Sequence, residues 1–190
     1  PKGRLAVWLV VGGELVIFGG GVMAFLLERF RFLDTFDSLA ALTNTPLGAL
    51  NTVVLLTSSF FVVMAHNYAA KKDHKKMGKF LLLTIVMGTV FLLVKSYEWG
   101  VEKIPYGVVL GNLKPAFQEA FGPGQIFWSY YYFLTGMHAV HVVLGMLVIF
   151  IVYMNTRQGT NLHRVEMIGI YWHFVDLVWI FLFPIFYLSR

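Results

Sequence analysis

The sequence predicts an all-α, polytopic membrane protein: a single domain built as a bundle of five transmembrane helices. Three observations predict it. Five apolar runs each reach the ~20 residues needed to cross a hydrocarbon layer. Hydrophobic residues make up 58% of the chain and charged residues 13%, where a soluble domain carries about 25% charged residues. That leaves too little polar surface to cover a water-soluble globule. Finally, the charges and turn formers gather between the runs rather than within them.

The first run, about 5–27, carries Gly12, Gly13 and Glu14 near its middle. The glycines let another backbone approach closely. A carboxylate at that depth is expensive unless it has a partner, so Glu14 reads either as a proton-handling group or as a neutral anchor between helices. No small-residue cleavage site follows this run, which therefore reads as a retained span. Pro1 stands where an initiator Met would, so residues upstream stay open. The connection from Glu28 to Pro46 reads as a polar linker with Asp34, Asp37 and Asn44.

The second run, about 47–70, places Asn51, Thr52, Thr57, Ser58 and Ser59 along a helix and closes with His66 and Asn67. Small polar groups of this kind hydrogen-bond across helices, at about 0.6 kcal/mol each. A basic hairpin follows, with Lys71, Lys72, Lys75 and Lys76. It marks topology and could also meet anionic headgroups.

The third run, about 80–99, ends with Lys95 and Glu98 three residues apart. That spacing favours an ion pair on the helix over a snorkelling lysine. The connection 100–125 is rich in Gly and Pro. The fourth run, about 126–153, holds His138 and His141 on one face. Two imidazoles invite a metal or haem reading. The paired Glu-x-x-His elements of carboxylate-bridged metal bundles are missing, so neutral, hydrogen-bonded histidines are preferred. Trp99, Tyr106, Trp128, Tyr130, Tyr131 and Tyr132 read as an aromatic belt at the outer interface.

The fifth run, about 165–188, contains His173 and Asp176, again three apart. Both are costly in lipid, so their shared face is expected to look into protein. Together, Glu14, Glu98, His138, His141, His173 and Asp176 are expected to form an interior polar network.

Function classes fall away on the same evidence. With no Cys, disulfides, thiolate metal sites and cysteine nucleophiles are excluded. The formal charge of +5 sits at the ends of apolar runs and is no nucleic-acid signal. There is no phosphate loop, haem-attachment motif or hydrolytic triad. The excess of Lys and Arg at one end of the bundle puts the N-terminus in the cytoplasm and the C-terminus outside.

Five strings in register resemble one family, subunit III of the haem–copper oxidases. They are Trp8 to Glu14; Leu50 to Ser59 with Ala65-His66; Lys95-Ser96-Tyr97-Glu98-Trp99; Phe133 to Gly145; and Tyr171 to Asp176 with Trp179. The long form of that family has seven helices, and this chain corresponds to the last five. The resemblance implies a non-catalytic accessory subunit of a proton-pumping terminal oxidase in the bacterial cytoplasmic membrane. It implies no haem or copper on this chain, those cofactors belonging to partner subunits I and II. It further implies bound phospholipid, a stabilising role, support of proton uptake, and a place open to it in a larger respiratory supercomplex. Two alternatives share the fold: a quinol oxidase subunit, or the accessory protein of a nitric oxide reductase. From another class, a free-standing transporter or proton channel would also bury Glu14 and His173.

Overall fold

The computed structural model describes residues 2–100, 121–156 and 162–188. Among them lie six α-helices and no strand: α1 Lys2–Arg31, α2 Leu33–Ala40, α3 Thr45–Ala70, α4 His74–Gly100, α5 Phe121–Thr156 and α6 Leu162–Phe183, with a π-helical turn at Pro184–Leu188. All but α2 are long and apolar enough to span a membrane. The chain is therefore a multi-pass membrane protein.

Local sequence sets the helix ends. Asn44 caps α3 by accepting the Leu47 N–H at 3.1 Å, with Pro46 in the first turn. The α3–α4 corner closes as a Schellman motif: the Asp73 N–H reaches Tyr68 O and the Lys72 N–H reaches Ala69 O, both at 3.0 Å. Lys72 occupies the left-handed position, at φ 58°, where glycine is usual. Asp73 then caps α4 by accepting the Lys76 N–H at 3.0 Å. That hydrogen bond holds the Asp73 carboxyl below the usual carboxylate range.

The stretch read as a polar linker contains a helix instead. In α2, Phe36, Leu39 and Ala40 are buried. Phe36 packs on Phe25 of α1 and Phe127 of α5, with ring centroids 5.4 Å apart in each case. Arg29 pairs with Asp37 at 2.8 Å across the α1–α2 turn. The apolar face is only three residues wide and alternates with acids and hydroxyls, which hid it in the sequence.

The helices α3, α4, α5 and α6 close a ring: α3 packs on α4 and α6, and α5 packs on α4 and α6. Outside the ring, α1 lies against α5 and α6. Two indoles of α6 set its antiparallel register on α3. Trp172 Nε1–H donates to Ser58 Oγ and Trp179 Nε1–H to Thr52 Oγ1, each at 3.0 Å. The Trp172 ring needs Gly88 and Gly145 beside it. A Cβ at Gly145 would come within 2.9 Å of the indole, and one at Gly88 within 3.2 Å.

The aromatic-belt reading needs correction. Trp128 and Tyr131 are buried in the core, and Trp99, Tyr130 and Tyr132 pack partly buried against it. These rings fill the space where α5 meets α4 and the C-terminal turn. Tyr106 lies outside the described residues.

Candidate functional site

The polar side chains of the bundle fall in four places. The most enclosed joins α4, α5 and the C-terminal turn. Lys95 and Glu98 are each 1% exposed. Lys95 Nζ donates to Glu98 Oε2 at 3.1 Å, to Tyr131 Oη at 2.8 Å and to Tyr187 Oη. Both tyrosine hydroxyls donate to Glu98 Oε1, at 2.7 and 2.6 Å. Three N–H and two O–H groups thus meet five acceptor positions. The inventory closes with no donor left over. The aromatic rings of Trp99 and Trp179 lie 5.8 and 5.3 Å from the ammonium, a cation–π shell that further offsets its desolvation. The sequence supplied Lys95 and Glu98. It gave no sign of Tyr131 and Tyr187, whose hydroxyls come from distant segments and share no local spacing with the pair.

The second place joins α1 to α5. Glu14 Oε2 stands 3.0 Å from His141 Nε2. His141 Nδ1 lies 2.7 Å from the Met137 carbonyl oxygen. A carbonyl only accepts, so Nδ1 carries a proton. Nε2 and the carboxylate would then be two acceptors in contact, unless a second proton lies between them. The contact becomes an ion pair when the imidazole carries both protons, and Glu14 Oε2 makes no hydrogen bond among the described residues. Phe18 meets the imidazole edge-on, at 5.4 Å.

His138 is the third. It is fully buried between Phe91 and Trp179, with ring centroids 5.4 and 5.3 Å away. Neither ring nitrogen has a hydrogen-bond partner among the described residues. Although His138 and His141 are three residues apart, they look at different neighbours. Among the described residues, no group of three or more His, Asp or Glu side chains is gathered as a metal would need.

The fourth lies between α3 and α6. His173 Nδ1 contacts Ser59 Oγ, and the His173 side chain is exposed at the edge of the bundle. Asp176 is 3% exposed, and neither carboxyl oxygen has a hydrogen-bond partner among the described residues. Ser59 is the hydroxyl set beside it. A three-residue step turns a helix by roughly 300°, which is enough to carry His173 to the rim while Asp176 stays inside. Asn51 on α3 is likewise buried, with its amide unpaired among the described residues. Among the described residues, no hydrogen bond or ion pair links these four places to one another.

Two further features sit at the ends and on the surface. Lys71, Lys72, Lys75 and Lys76 are exposed around the α3–α4 corner, where Lys71 and Lys76 approach the Tyr68 ring at 5.8 and 5.3 Å. Between α1, α5 and α6 opens a cavity of about 650 Å³, lined by Val7, Val10, Leu144, Val148 and Met167, with Asn155 and Arg164 toward the lysine end.

The comparisons with known proteins bear on all of this. The family model for cytochrome c oxidase subunit III matches residues 37–189. Cytochrome c oxidase subunit 3 of Alkalihalophilus pseudofirmus is 32% identical over 97% of this chain and 85% of its own length. That of Bacillus sp. PS3 is 31% identical over 97% of this chain and 84% of its own length. The haem–copper oxidase subunit I+III of Aeropyrum pernix is 29% identical over 98% of this chain and 23% of that longer polypeptide.

Proposed function

The chain belongs to the cytochrome c oxidase subunit III family, and from that premise we propose that it stabilises the catalytic subunit of its oxidase, supports proton uptake there and holds phospholipid. Its place is that of an accessory subunit in a haem–copper oxidase. Haem and copper then reside in subunits I and II. The Aeropyrum pernix relative, named as subunit I+III, supports direct contact between this bundle and subunit I, since its counterpart is covalently part of the same chain.

The observation that carries the reading is the cavity between α1 and the ring. About 650 Å³, aliphatic along its length and bounded by Arg164 at one end, it suits an acyl chain whose phosphate meets a guanidinium. A lipid there would fill the gap left by the loose attachment of α1. The buried polar pairs serve assembly in this reading: Glu14–His141 fastens α1 to the ring and Lys95–Glu98 fastens the C-terminal turn. The lysine corner lies at the cytoplasmic side, against anionic headgroups, and the C-terminus lies outside. The relatives' names support cytochrome c over quinol as the electron donor of the complex, and the family relation supports an oxidase subunit over a free-standing transporter.

The test is purification of the complex from its native membrane, with lipid and metal analysis. The chain is expected to travel with haem-containing subunits, to carry phospholipid that is lost in Arg164→Ala, and to hold no stoichiometric iron, copper or zinc once separated. Isolation free of haem proteins would overturn the reading.

A further inference from the structure

A second opening, about 180 Å³ in volume, runs between α3 and α6 toward the lysine corner. It differs in kind from the apolar cavity. Three titratable side chains line it: His66 from α3, and Glu166 and His173 from α6. Gly169 lets the helices approach there, since a Cβ at that position would already be 3.3 Å from Val62. His163 extends the line outward, 3.5 Å from Glu166.

Depth orders these groups. At 1.5 Å per residue, His66 and Glu166 lie about 6 Å from the ends of α3 and α6, and His173 and Ser59 about 16 Å. Asp176 follows at ~21 Å, buried and without a hydrogen-bond partner among the described residues. Titratable groups in lipid-facing positions are rare, because each must be hydrated or paired. Three in one groove, stepping inward to an orphan carboxyl, form a polar path from one aqueous side. At ~30 Å³ per molecule, the groove has room for on the order of six waters.

We propose that this groove is a proton-exchange inlet, carrying protons between water at the lysine corner and the Asp176 carboxyl by way of Glu166, His66 and the His173–Ser59 contact. The last step balances without another reactant. A proton is taken up at His173 Nε2, and the Nδ1 proton passes to Ser59 Oγ. The Ser59 hydroxyl proton moves to a carboxylate oxygen of Asp176. One proton enters and one is bound; the imidazole ends neutral as its Nε2–H tautomer, so reset takes a flip of the ring as well as rotation of the hydroxyl. Of the helices packed on α6, α3 sets Ser59 beside Asp176, while α1 and α5 turn Glu14 and His141 toward each other. The inlet rests on the proton-uptake reading for its use in the complex but not for its chemistry.

The test is time-resolved infrared spectroscopy of the purified oxidase complex in lipid nanodiscs after a pH jump. A protonated-carboxyl band that is missing in Asp176→Asn is assigned to Asp176. In wild type this band is expected to follow the jump. Val63→Trp places an indole in the groove from an exposed position and is expected to slow it at least tenfold, with subunit content unchanged. His173→Phe is expected to do the same; if that variant loses the subunit, Val63→Trp decides. An unchanged rate in Val63→Trp, or a band that does not titrate, overturns the inlet. Proton pumping measured on Val63→Trp separates the two claims: a slowed band with normal pumping leaves the inlet standing and removes the uptake role.

Discussion

Lys95 and Glu98 show how a full ion pair can sit in the interior of a membrane bundle. Taking both charges out of water is costly, and their attraction compensates only when the remaining donors and acceptors are also used. Tyr131 and Tyr187 complete that set. Removing one charge strands the other, so Lys95→Met and Glu98→Leu are each expected to destabilise the subunit by about 3–5 kcal/mol, whereas the double variant should lose less than either single one. Thermal unfolding of the purified complex, read as a double-mutant cycle, checks this. A double variant as damaged as the sum of the two would show that the charges do not act as a unit. Glu14 presents a looser case, a carboxyl set 3.0 Å from His141 Nε2 with no hydrogen bond to it. Glu14→Gln keeps the shape and offers an amide N–H to His141 Nε2, so assembly and initial oxygen uptake are expected to stay near wild type. Loss of the subunit on purification would show that the carboxyl itself is required. At this scale the sequence was half legible. Charged and imidazole groups announce themselves inside apolar runs, while a tyrosine hydroxyl there looks like any other aromatic residue until the fold shows what it touches.

Individual helices were the most readable level where they span, since a long apolar run is a local property. Reading failed at α2, whose apolar face of Phe36, Leu39 and Ala40 is interleaved with Asp34, Asp37 and Ser38. It also failed at the π-helical turn, which begins at Pro184 and brings Tyr187 to Lys95. Two substitutions test how tightly the helices are fixed. Gly145→Val forces a side chain against Trp172, which Ser58 holds in place. Overpacking of this kind costs about 1–3 kcal/mol, and the variant should unfold at a lower temperature, with less of the subunit retained. Lys72→Gly should act the other way. The left-handed position costs an L side chain roughly 1–2 kcal/mol, so the substitution is expected to be neutral or stabilising. Hydrogen exchange at the Lys72 and Asp73 amides measures it, and faster exchange would argue against a strained corner.

For the whole molecule, the ring of α3 to α6 with α1 outside it follows from contacts that no single segment encodes. Which helix neighbours which is decided by indole–hydroxyl rungs and glycine clefts spread over the chain. The accessory role makes a prediction at this scale. Asp176→Ala opens a void where a buried side chain stood against the α3–α6 seam, a change that costs about 0.5–3 kcal/mol. It should loosen the subunit's hold on the complex, leaving the first turnovers near normal and shortening working life over many minutes. Oxygen uptake followed through that period, with subunit content measured at the end, tests it. Immediate loss of activity with the subunit still bound would place Asp176 in the chemistry.

The closed set around Lys95 has an electrical meaning. An energised membrane drives each elementary charge with ~2.3 kcal/mol per 100 mV, and any chain of exchangeable hydrogens crossing the bilayer would short-circuit it. The donors around Lys95 are satisfied within the cluster, packed among indoles and phenols, and a proton passing through would have to break that set. Among the described residues, that set stands as an energetic barrier near the C-terminal end of the bundle. If the groove between α3 and α6 delivers a proton to mid-depth, as proposed above, that proton charges the subunit as a capacitor plate is charged.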